Sequence, residues 1–387
     1  MHLIDFSTNF ISKIIPIALS LAGLGLLITI HEFGHFFFCK LFKVNTPTFS
    51  IGFGPQIFQK KIGNTNFRLA IIPFGGYVEI AGLAEAGQGD QEHANDTSEN
   101  SFDKKWYWQK FFILIGGILF NLLFAYTIFC ALIFFTPKST YGGLKITQLA
   151  KDAPAEKYGV QINDMVVGIN TIKLDQKDPE TILEDYKKLL TEIRRNPGQK
   201  IELFVRRGEE IKQLDIVLNT IKESGQDIGK MGASFEPQMP KMSFLKSIKM
   251  GIRRTNEVIV GLIVGIKKMF TSRSLEGTMG PIMIISQGAD FAKAGVLALL
   301  MFLALLSISL AVMNLLPIGA LDGGQLLFAT IEAIIRRKIP ETIKLVINLA
   351  SWVLILGLAL YLSVQELKQL FWPSVKNMIC KIVGLFH

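Results

Sequence analysis

Four long, uncharged apolar stretches constrain this 387-residue chain more than any other feature. They cover residues 14–30, 111–137, 294–321 and 345–364. An apolar helix of about 20 residues spans the ~30 Å hydrocarbon core of a bilayer. Four such stretches in one chain are too many and too long for buried core helices of a soluble protein. The pattern therefore predicts an α-helical polytopic membrane protein with four transmembrane helices.

Charge and cysteine content argue against two other classes of protein. The net charge is +9 at pH 7. The chain has no basic run interleaved with aromatic residues, so we expect basic loops beside a membrane and no nucleic-acid binding. Three scattered cysteines, Cys39, Cys130 and Cys380, form neither a disulfide framework nor zinc-finger spacing. The first apolar stretch lacks a small-residue cleavage site, which favours a retained helix over a signal peptide.

The apolar stretches divide the chain into eight predicted segments. Alternating apolar and small residues with several glycines predict short strands in the first loop, and basic residues around a short apolar core predict an interfacial helix later on. The segments are a first transmembrane helix (1–38), a cytoplasmic-side loop with a β segment that the resemblance given below makes re-entrant (39–110), a second transmembrane helix (111–137), a soluble α+β domain (138–225), an interfacial amphipathic helix (240–280), a third transmembrane helix leading to Leu-Asp-Gly-Gly (290–321), a fourth transmembrane helix (343–365) and a C-terminal tail (366–387).

The first apolar stretch runs into His31-Glu32-Phe33-Gly34-His35, a pattern typical of zinc sites. Residues four apart share one face of a helix, so both imidazoles can bind a single ion. A glutamate beside the first histidine is placed to act as general base. Since a glutamate and two histidines are costly at the end of an apolar helix, we predict a metal site that uses His31 and His35 as ligands and Glu32 as base.

A catalytic zinc site normally has three protein ligands. The candidate for the third is Asp322, which lies in Leu321-Asp322-Gly323-Gly324 at the end of an apolar stretch. Pro317 and the neighbouring glycines must interrupt the helix there. Irregular backbone at membrane depth is tolerated where it lines a protein cavity. The alternative is an ordinary helix-ending aspartate in a loop.

Together these motifs closely resemble the site-2 protease family of intramembrane metalloproteases, in particular the bacterial regulator-of-sigma-E protease type. The resemblance covers residues 20–365. Beyond the two motifs above, it rests on Ser-Ile-Gly-Phe-Gly-Pro at 50–55, Ile-Pro-Phe-Gly-Gly-Tyr-Val at 72–78, Gly117 with Asn121, and Gly-Pro-Ile at 280–282. One departure is Gln325, where family members usually have a histidine.

The resemblance implies a site as well as a fold. It implies Zn2+ held by His31, His35 and Asp322, with Glu32 as the catalytic base. It also implies a membrane-dipping β-loop that holds an unwound substrate by strand addition. The substrate-binding residues implied in this way are Asn314, Pro317, Gly75, Gly76, Tyr77 and Val78.

The soluble insert resembles a single bacterial PDZ domain. The matching pieces are residues 142–146, 153–159, 163–166 and 169–170. Two usual glycines are absent: the Pro-Gly-Asp turn reads Ile-Asn-Asp, and Thr171 follows Asn170. PDZ domains bind extended peptides by strand addition, so the resemblance implies a peptide ligand or a substrate filter. An inert spacer is the alternative.

The resemblance further implies a protease of the bacterial inner membrane that cleaves transmembrane helices already shortened by another protease, such as an anti-sigma factor or remnant signal peptides. Substrate proteins and the lipid bilayer are its expected partners. A weak excess of Lys and Arg, nine against seven near the ends of the apolar stretches, places the 39–110 loop and the active site on the cytoplasmic side and the PDZ domain outside.

Three other functions stay open at this point. A zinc peptidase acting in the aqueous phase would take its third ligand from a soluble segment. A non-enzymatic scaffold would tether partners through the PDZ domain, although the intact Glu32 argues against a decayed site. A metal transporter would need a chain of polar residues across several spans, and the spans offer only Asn121, Asn314 and a few Ser and Thr.

Overall fold

A computed structural model describes the chain over residues 2–83, 92–135, 143–174, 179–223, 226–238, 243–272 and 278–383. In chain order, the elements are α1 (His2–Leu41), β1 (Thr48–Ile62), β2 (Thr65–Val78), a 3-10 turn (Phe102–Lys104), α2 (Tyr107–Phe135), β3 (Gly143–Leu149), α3 (Pro154–Lys157), β4 (Met165–Ile169), β5 (Ile172–Lys173), α4 (Pro179–Arg195), β6 (Lys200–Arg207), β7 (Glu210–Val217), β8 (Asn219–Glu223), β9 (Gln226–Lys230), β10 (Ala233–Gln238), α5 (Phe244–Ser272), α6 (Pro281–Ala294), α7 (Val296–Asn314), α8 (Asp322–Ile335) and α9 (Glu341–Val383).

The chain forms two compact units. Unit 1 comprises Met1–Ile133 and Ile248–His387, and unit 2 comprises Phe134–Ser247. Four of the described helices are long and apolar enough to cross a membrane, as predicted: Ser12–Leu41, Tyr107–Phe135, Val296–Asn314 and Glu341–Gln369. They fit a multi-pass membrane protein.

The bounds of the last two spans differ from the prediction. The third span, predicted at 290–321, begins after Gly295, whose φ of +119° breaks the helix after α6. It ends at Asn314 because Pro317 and Gly319 follow. The tail predicted at 366–387 is helical as far as Val383, since the span is followed by residues such as Leu, Lys and Gln that favour helix.

Within unit 1, α1 and α2 meet backbone to backbone. A Cβ atom added at Gly34 would lie 2.2 Å from the carbonyl oxygen of Gly116, and one added at Gly116 would lie 2.6 Å from that of Gly34. Small residues allow such close approach between membrane helices. Helix α2 also contacts α7, where Ser307 donates its hydroxyl to the carbonyl oxygen of Asn121 at 2.8 Å. These contacts hold α2 against both α1 and α7.

Strands β1 and β2 form a curled sheet beside α1. In the pairing register, residues 48–51 lie between 66–69 on one side and 76–78 on the other, while 56–62 pairs with 65–70 as a hairpin. The reversal within β1 uses Gly52 and Gly54, whose φ angles of +87° and +86° favour glycine. Residues 76–78 therefore form one edge of this sheet.

The helix predicted as interfacial at 240–280 corresponds to α5, which ends at Ser272 before α6 begins. Its unit 1 part packs through Val258, Ile259 and Leu262 against a buried cluster that includes Phe129 and Ile308. Its position at a membrane interface stays a prediction.

Unit 2 is an antiparallel α+β domain. Its main sheet has the strand order β10-β3-β4-β6-β7, and β5 pairs with β4. A buried cluster that includes Leu144, Ile182 and Leu203 forms the core between sheet and helix. Asp164 is buried and accepts hydrogen bonds from Arg207 at 2.8 and 2.7 Å; these bonds raise the pKa of Arg207. Strand β10 lies beyond residue 225, the predicted end of the domain, yet it pairs with β3 over six residue pairs.

Candidate metal centre

The last turns of α1 place two imidazoles together. His31 and His35 are separated by one helical turn and are both buried, with 8% and 6% of their surface exposed. Their Nε2 atoms lie 3.3 Å apart. The backbone contact between Gly34 and Gly116 presses this part of α1 onto α2, so the imidazoles lie in the space between helices.

Asp322 lies beside the same two imidazoles, although it is far from them in the sequence. It opens α8, directly after the irregular connection that follows α7. Two glycines allow that connection to fold back on α8, because a Cβ atom at Gly323 would lie 2.4 Å from the carbonyl oxygen of Leu315 and one at Gly324 would lie 2.1 Å from that of Ile318. The result is that Asp322 Oδ2 lies 3.1 Å from His31 Nε2 and 3.6 Å from His35 Nε2.

These three side chains fit a zinc ion. Zinc bonds of about 2.0–2.1 Å in a tetrahedron place ligand atoms about 3.3 Å apart, and the three separations here are 3.1, 3.3 and 3.6 Å. Asp322 Oδ2 is buried and accepts no hydrogen bond from any described residue. Among those residues, the two histidines and Asp322 form the single group suited to holding a metal ion. Two nitrogens and one carboxylate oxygen leave a fourth position open, as in catalytic zinc sites.

One face of α2 orients both imidazoles. His35 Nδ1 lies 2.7 Å from the carbonyl oxygen of Ile113, so it donates its N–H there, and Nε2 carries the lone pair that can bind a metal. His31 Nδ1 lies 3.2 Å from the side-chain amide of Asn121. Gly117, midway between, allows this approach, because a Cβ atom there would lie 2.5 Å from both rings.

Glu32 lies between the histidines and the edge of the β1–β2 sheet. Its Oε2 accepts the backbone N–H of Val78 at 3.2 Å. A Cβ atom added at Gly76 would lie 3.8 Å from Glu32 Cγ. The carboxylate is thus held at the point where the sheet edge meets the histidine pair.

Comparison with known proteins identifies the family. The sequence profile of peptidase family M50 matches residues 19–358, which include the two histidines, Glu32 and Asp322. The chain belongs to peptidase family M50. The predicted resemblance to site-2 proteases is therefore confirmed.

Relatives of this M50 peptidase cover it almost end to end. A protein of Clostridium perfringens is 31% identical over 91% of this chain and 98% of its own. One from Nostoc is 30% identical over 91% and 95%, and one from Campylobacter jejuni is 26% identical over 94% and 95%. All three are named "Putative zinc metalloprotease". The M50 peptidase is accordingly a zinc metalloprotease with Zn2+ as cofactor, as predicted.

Solved structures match part of the chain as well, and one of them is a PDZ domain. The PDZ domain of an SdrC-like protein from Listeria monocytogenes is 19% identical and aligns with a TM-score of 0.20, covering 26% of this chain and 93% of its own.

The side chains of His31, His35 and Asp322, called the metal group below, line a cavity of about 270 Å³ in the M50 peptidase. Of the predicted substrate-binding residues, Asn314 and Gly76 line it, and Asn314 Nδ2 lies 3.4 Å from His31 Nε2. Pro317 is exposed in the connection after α7 and does not line this cavity. Gly75 lies under the ring of Phe53, which a Cβ atom there would meet at 2.0 Å.

This cavity is also lined by residues that the sequence did not assign to the site, among them two polar side chains and a tryptophan. Asn348 and Trp352 come from α9, and Gln325 comes from α8. Gln325 donates to the carbonyl oxygen of Gly319 at 2.8 Å and lies 3.3 Å from Asn348 Oδ1. A buried asparagine in an otherwise apolar span is a signal that sequence reading can use, because such residues are costly in a membrane unless they face a cavity.

Proposed function

We propose that this M50 peptidase hydrolyses peptide bonds within transmembrane helices, with zinc held by His31, His35 and Asp322. The observation that carries the proposal is where the three candidate metal ligands lie relative to the candidate membrane spans. Both histidines lie within the candidate span Ser12–Leu41, and Asp322 follows the span Val296–Asn314. A site between such helices is accessible to membrane-embedded chains, and it disfavours a peptidase whose third ligand comes from a soluble segment.

The protein's own groups would handle the water and the proton. Zinc held there would supply Lewis acidity toward the peptide carbonyl. Glu32 takes a proton from a water molecule as the oxygen of that water adds to the carbonyl carbon. It then delivers the proton to the departing amine when the C–N bond breaks. The N–H of Val78 holds Glu32 in place for both transfers. Asn314, beside His31, is positioned to orient the substrate carbonyl.

The edge of the β1–β2 sheet would present the substrate. The peptide bonds of an intact helix are shielded by their own hydrogen bonds, so an unwound strand is the reactive form. Residues 76–78 form a sheet edge beside Glu32 that can hold such a strand by β-addition. The exposed apolar side chains of Ile57, Phe58 and Ile71 support a position of this sheet in the membrane.

Unit 2 would act as a PDZ domain outside the cytoplasm. In the described part of the chain only β3 pairs with β10, so the opposite edge of β10 is open to a peptide strand. A peptide bound there would either deliver a substrate or exclude chains that are still too long. The Lys and Arg bias along the chain supports cytoplasmic placement of the metal site.

The substrates would be single transmembrane helices trimmed beforehand by another protease, such as an anti-sigma factor or a remnant signal peptide, in the bacterial inner membrane. A closed membrane site has room for a short remnant and excludes large folded domains. The bacterial sources of the relatives agree with this setting.

The test is to map the cleaved bond. The protein and a reporter containing one transmembrane helix with polar flanks are placed in liposomes, and the products are identified by mass spectrometry. Cleavage inside the apolar segment, absent with Glu32→Gln, is the expected result. Cleavage confined to the polar flanks would instead indicate a peptidase that acts in water.

A further inference from the structure

A row of polar side chains crosses the β1–β2 sheet. In the register Gln59 pairs with Arg68, Arg68 with Ser50, and Ser50 with Tyr77. Directly paired residues on neighbouring strands project from the same face of a sheet. All four therefore share one face, and Arg68 lies near the middle of the row.

This face encloses a cavity of about 460 Å³, which we call the Arg68 cup. The turn at Gly52 and Gly54 curls the sheet around it. Phe53 and Tyr77 stack at one side, with ring centroids 6.4 Å apart and planes inclined by 10°. The polar side chains of the cup are those of Ser50, Gln56, Gln59, Arg68 and Tyr77.

Among the residues that the structure describes, none is a partner for the Arg68 side chain. Its Nε is buried, and neither a hydrogen bond nor an ion pair joins the side chain to any residue that the structure describes. The hydroxyl of Ser50 is already donated to the carbonyl oxygen of Gly52 at 3.0 Å. A partly desolvated guanidinium without a counter-ion is unfavourable. Its planar set of N–H donors matches a carboxylate or phosphate.

We propose that the Arg68 cup binds an aspartate or glutamate side chain of the peptide substrate, an inference that rests on the proposed proteolytic function. The cup adjoins both parts of the substrate path. Tyr77 belongs to the cup and to the edge strand 76–78. Phe53 lines the cup and also the metal-site cavity. Residues 48–51 lie between the edge strand and the strand of Arg68, so Arg68 is two strands away from 76–78. A substrate residue that flanks the paired segment and extends past Phe53 and Tyr77 would therefore reach the cup.

A lipid phosphate offers the same chemistry. The cup shares residues with the edge strand and with the metal-site cavity. This favours the peptide carboxylate, because a site for a substrate residue must lie next to the substrate path, whereas a lipid site need not. The consequence is sequence selectivity: reporters with an acidic residue at one position near the cleaved segment bind better than their neutral counterparts.

The test compares two reporter series in liposomes, with a single Glu or a single Gln moved along the residues that flank the apolar segment. For wild type, one Glu position lowers KM about tenfold relative to Gln. Arg68→Gln removes that advantage without changing kcat. Lys60→Gln is the matched control, since it makes the same change of charge at an exposed position on the other face of the sheet and keeps the advantage.

A binding measurement separates this inference from the proposed function. Affinity of both series for the Glu32→Gln protein is measured without cleavage, with and without anionic lipid. Preference for Glu that disappears in Glu32→Gln/Arg68→Gln supports the cup even if wild type cuts elsewhere. Equal affinity for all reporters, or an Arg68 effect that depends on anionic lipid alone, overturns it.

Discussion

The backbone N–H of Val78 donates to Oε2 of Glu32 at 3.2 Å, which joins the edge of the β1–β2 sheet to the residue proposed as base. Gly76, two residues earlier, has no room for a side chain, because a Cβ atom would lie 2.7 Å from the carbonyl oxygen of Ser50. The position of this edge is therefore coupled to the position of Glu32.

Substituting Gly76→Ala is expected to lower kcat/KM by at least about tenfold, since the edge strand must move away from Ser50 and Glu32. Zinc content should stay at the wild-type level, because no ligand is touched. Steady-state cleavage and metal analysis of the same preparation measure both. Gly357→Ala is the control, as a Cβ atom there meets nothing within 4 Å. An active Gly76→Ala protein would contradict the coupling.

Removing the carboxylate at Asp322 is expected to weaken zinc binding by more than about 100-fold, since loss of even an outer partner of a ligand costs 10–100-fold. The competing chelator concentration that strips half of the zinc measures this change. Asp103→Asn is the matched control, because Asp103 forms an ion pair with Lys338 away from the metal group. Wild-type retention of zinc by Asp322→Asn would remove Asp322 from the ligand set.

The motifs that could be predicted from sequence are local ones. The histidine pair lies on one helix turn, and the length of an apolar stretch can be read directly from the sequence. The spans and the histidine pair could therefore be predicted from short continuous segments. Asp322 was predictable because an aspartate beside glycines at the end of a span is unusual. The break at Gly295, which separates α6 from α7, was not predicted, because a single glycine in an apolar run carries little signal.

The curled sheet could not be derived in the same way. Residues 48–51 pair on both sides, with 66–69 and with 76–78. Strand pairing depends on the register between segments that are distant in the sequence. The alternation of apolar and polar residues within one strand does not specify which strand will pair with it. For the same reason the sequence does not indicate a role for Arg68. Asn348 lines the cavity because α9 packs beside Gln325, a contact between segments that local patterns do not specify.

Asn121 provides a test of how α2 orients His31. Its Oδ1 is buried and has no hydrogen-bond partner among the residues that the structure describes, while its Nδ2 faces His31 Nδ1. A 180° rotation of the side-chain amide exchanges Oδ1 and Nδ2, so Oδ1 can face His31 Nδ1. A histidine that binds a metal through Nε2 needs such an acceptor for its Nδ1–H. Asn121→Asp is therefore expected to keep zinc affinity, whereas Asn121→Leu loses about 10–100-fold. Chelator competition measures both, and equal losses for the two variants would show that Asn121 does not accept from His31.

Unit 2 depends on a buried carboxylate. Asp164 is 1% exposed and accepts from Arg207 and from the backbone N–H of Gln161. Replacing it by alanine leaves these donors unpaired and should lower the free energy of unfolding of unit 2 by about 2 kcal/mol. Hydrogen exchange of unit 2 amides in the full chain measures this loss. Asp215→Ala, which breaks an exposed pair with Lys200, should cause no measurable change.

The central claim is tested most directly by Glu32→Gln in liposomes, with bound zinc and cleavage of a transmembrane-helix reporter measured on one preparation. Glutamine keeps the shape of the side chain but cannot take a proton. The account predicts wild-type zinc content together with loss of cleavage by at least a factor of about 100. Normal cleavage by this variant, or wild-type protein without zinc, would contradict the account.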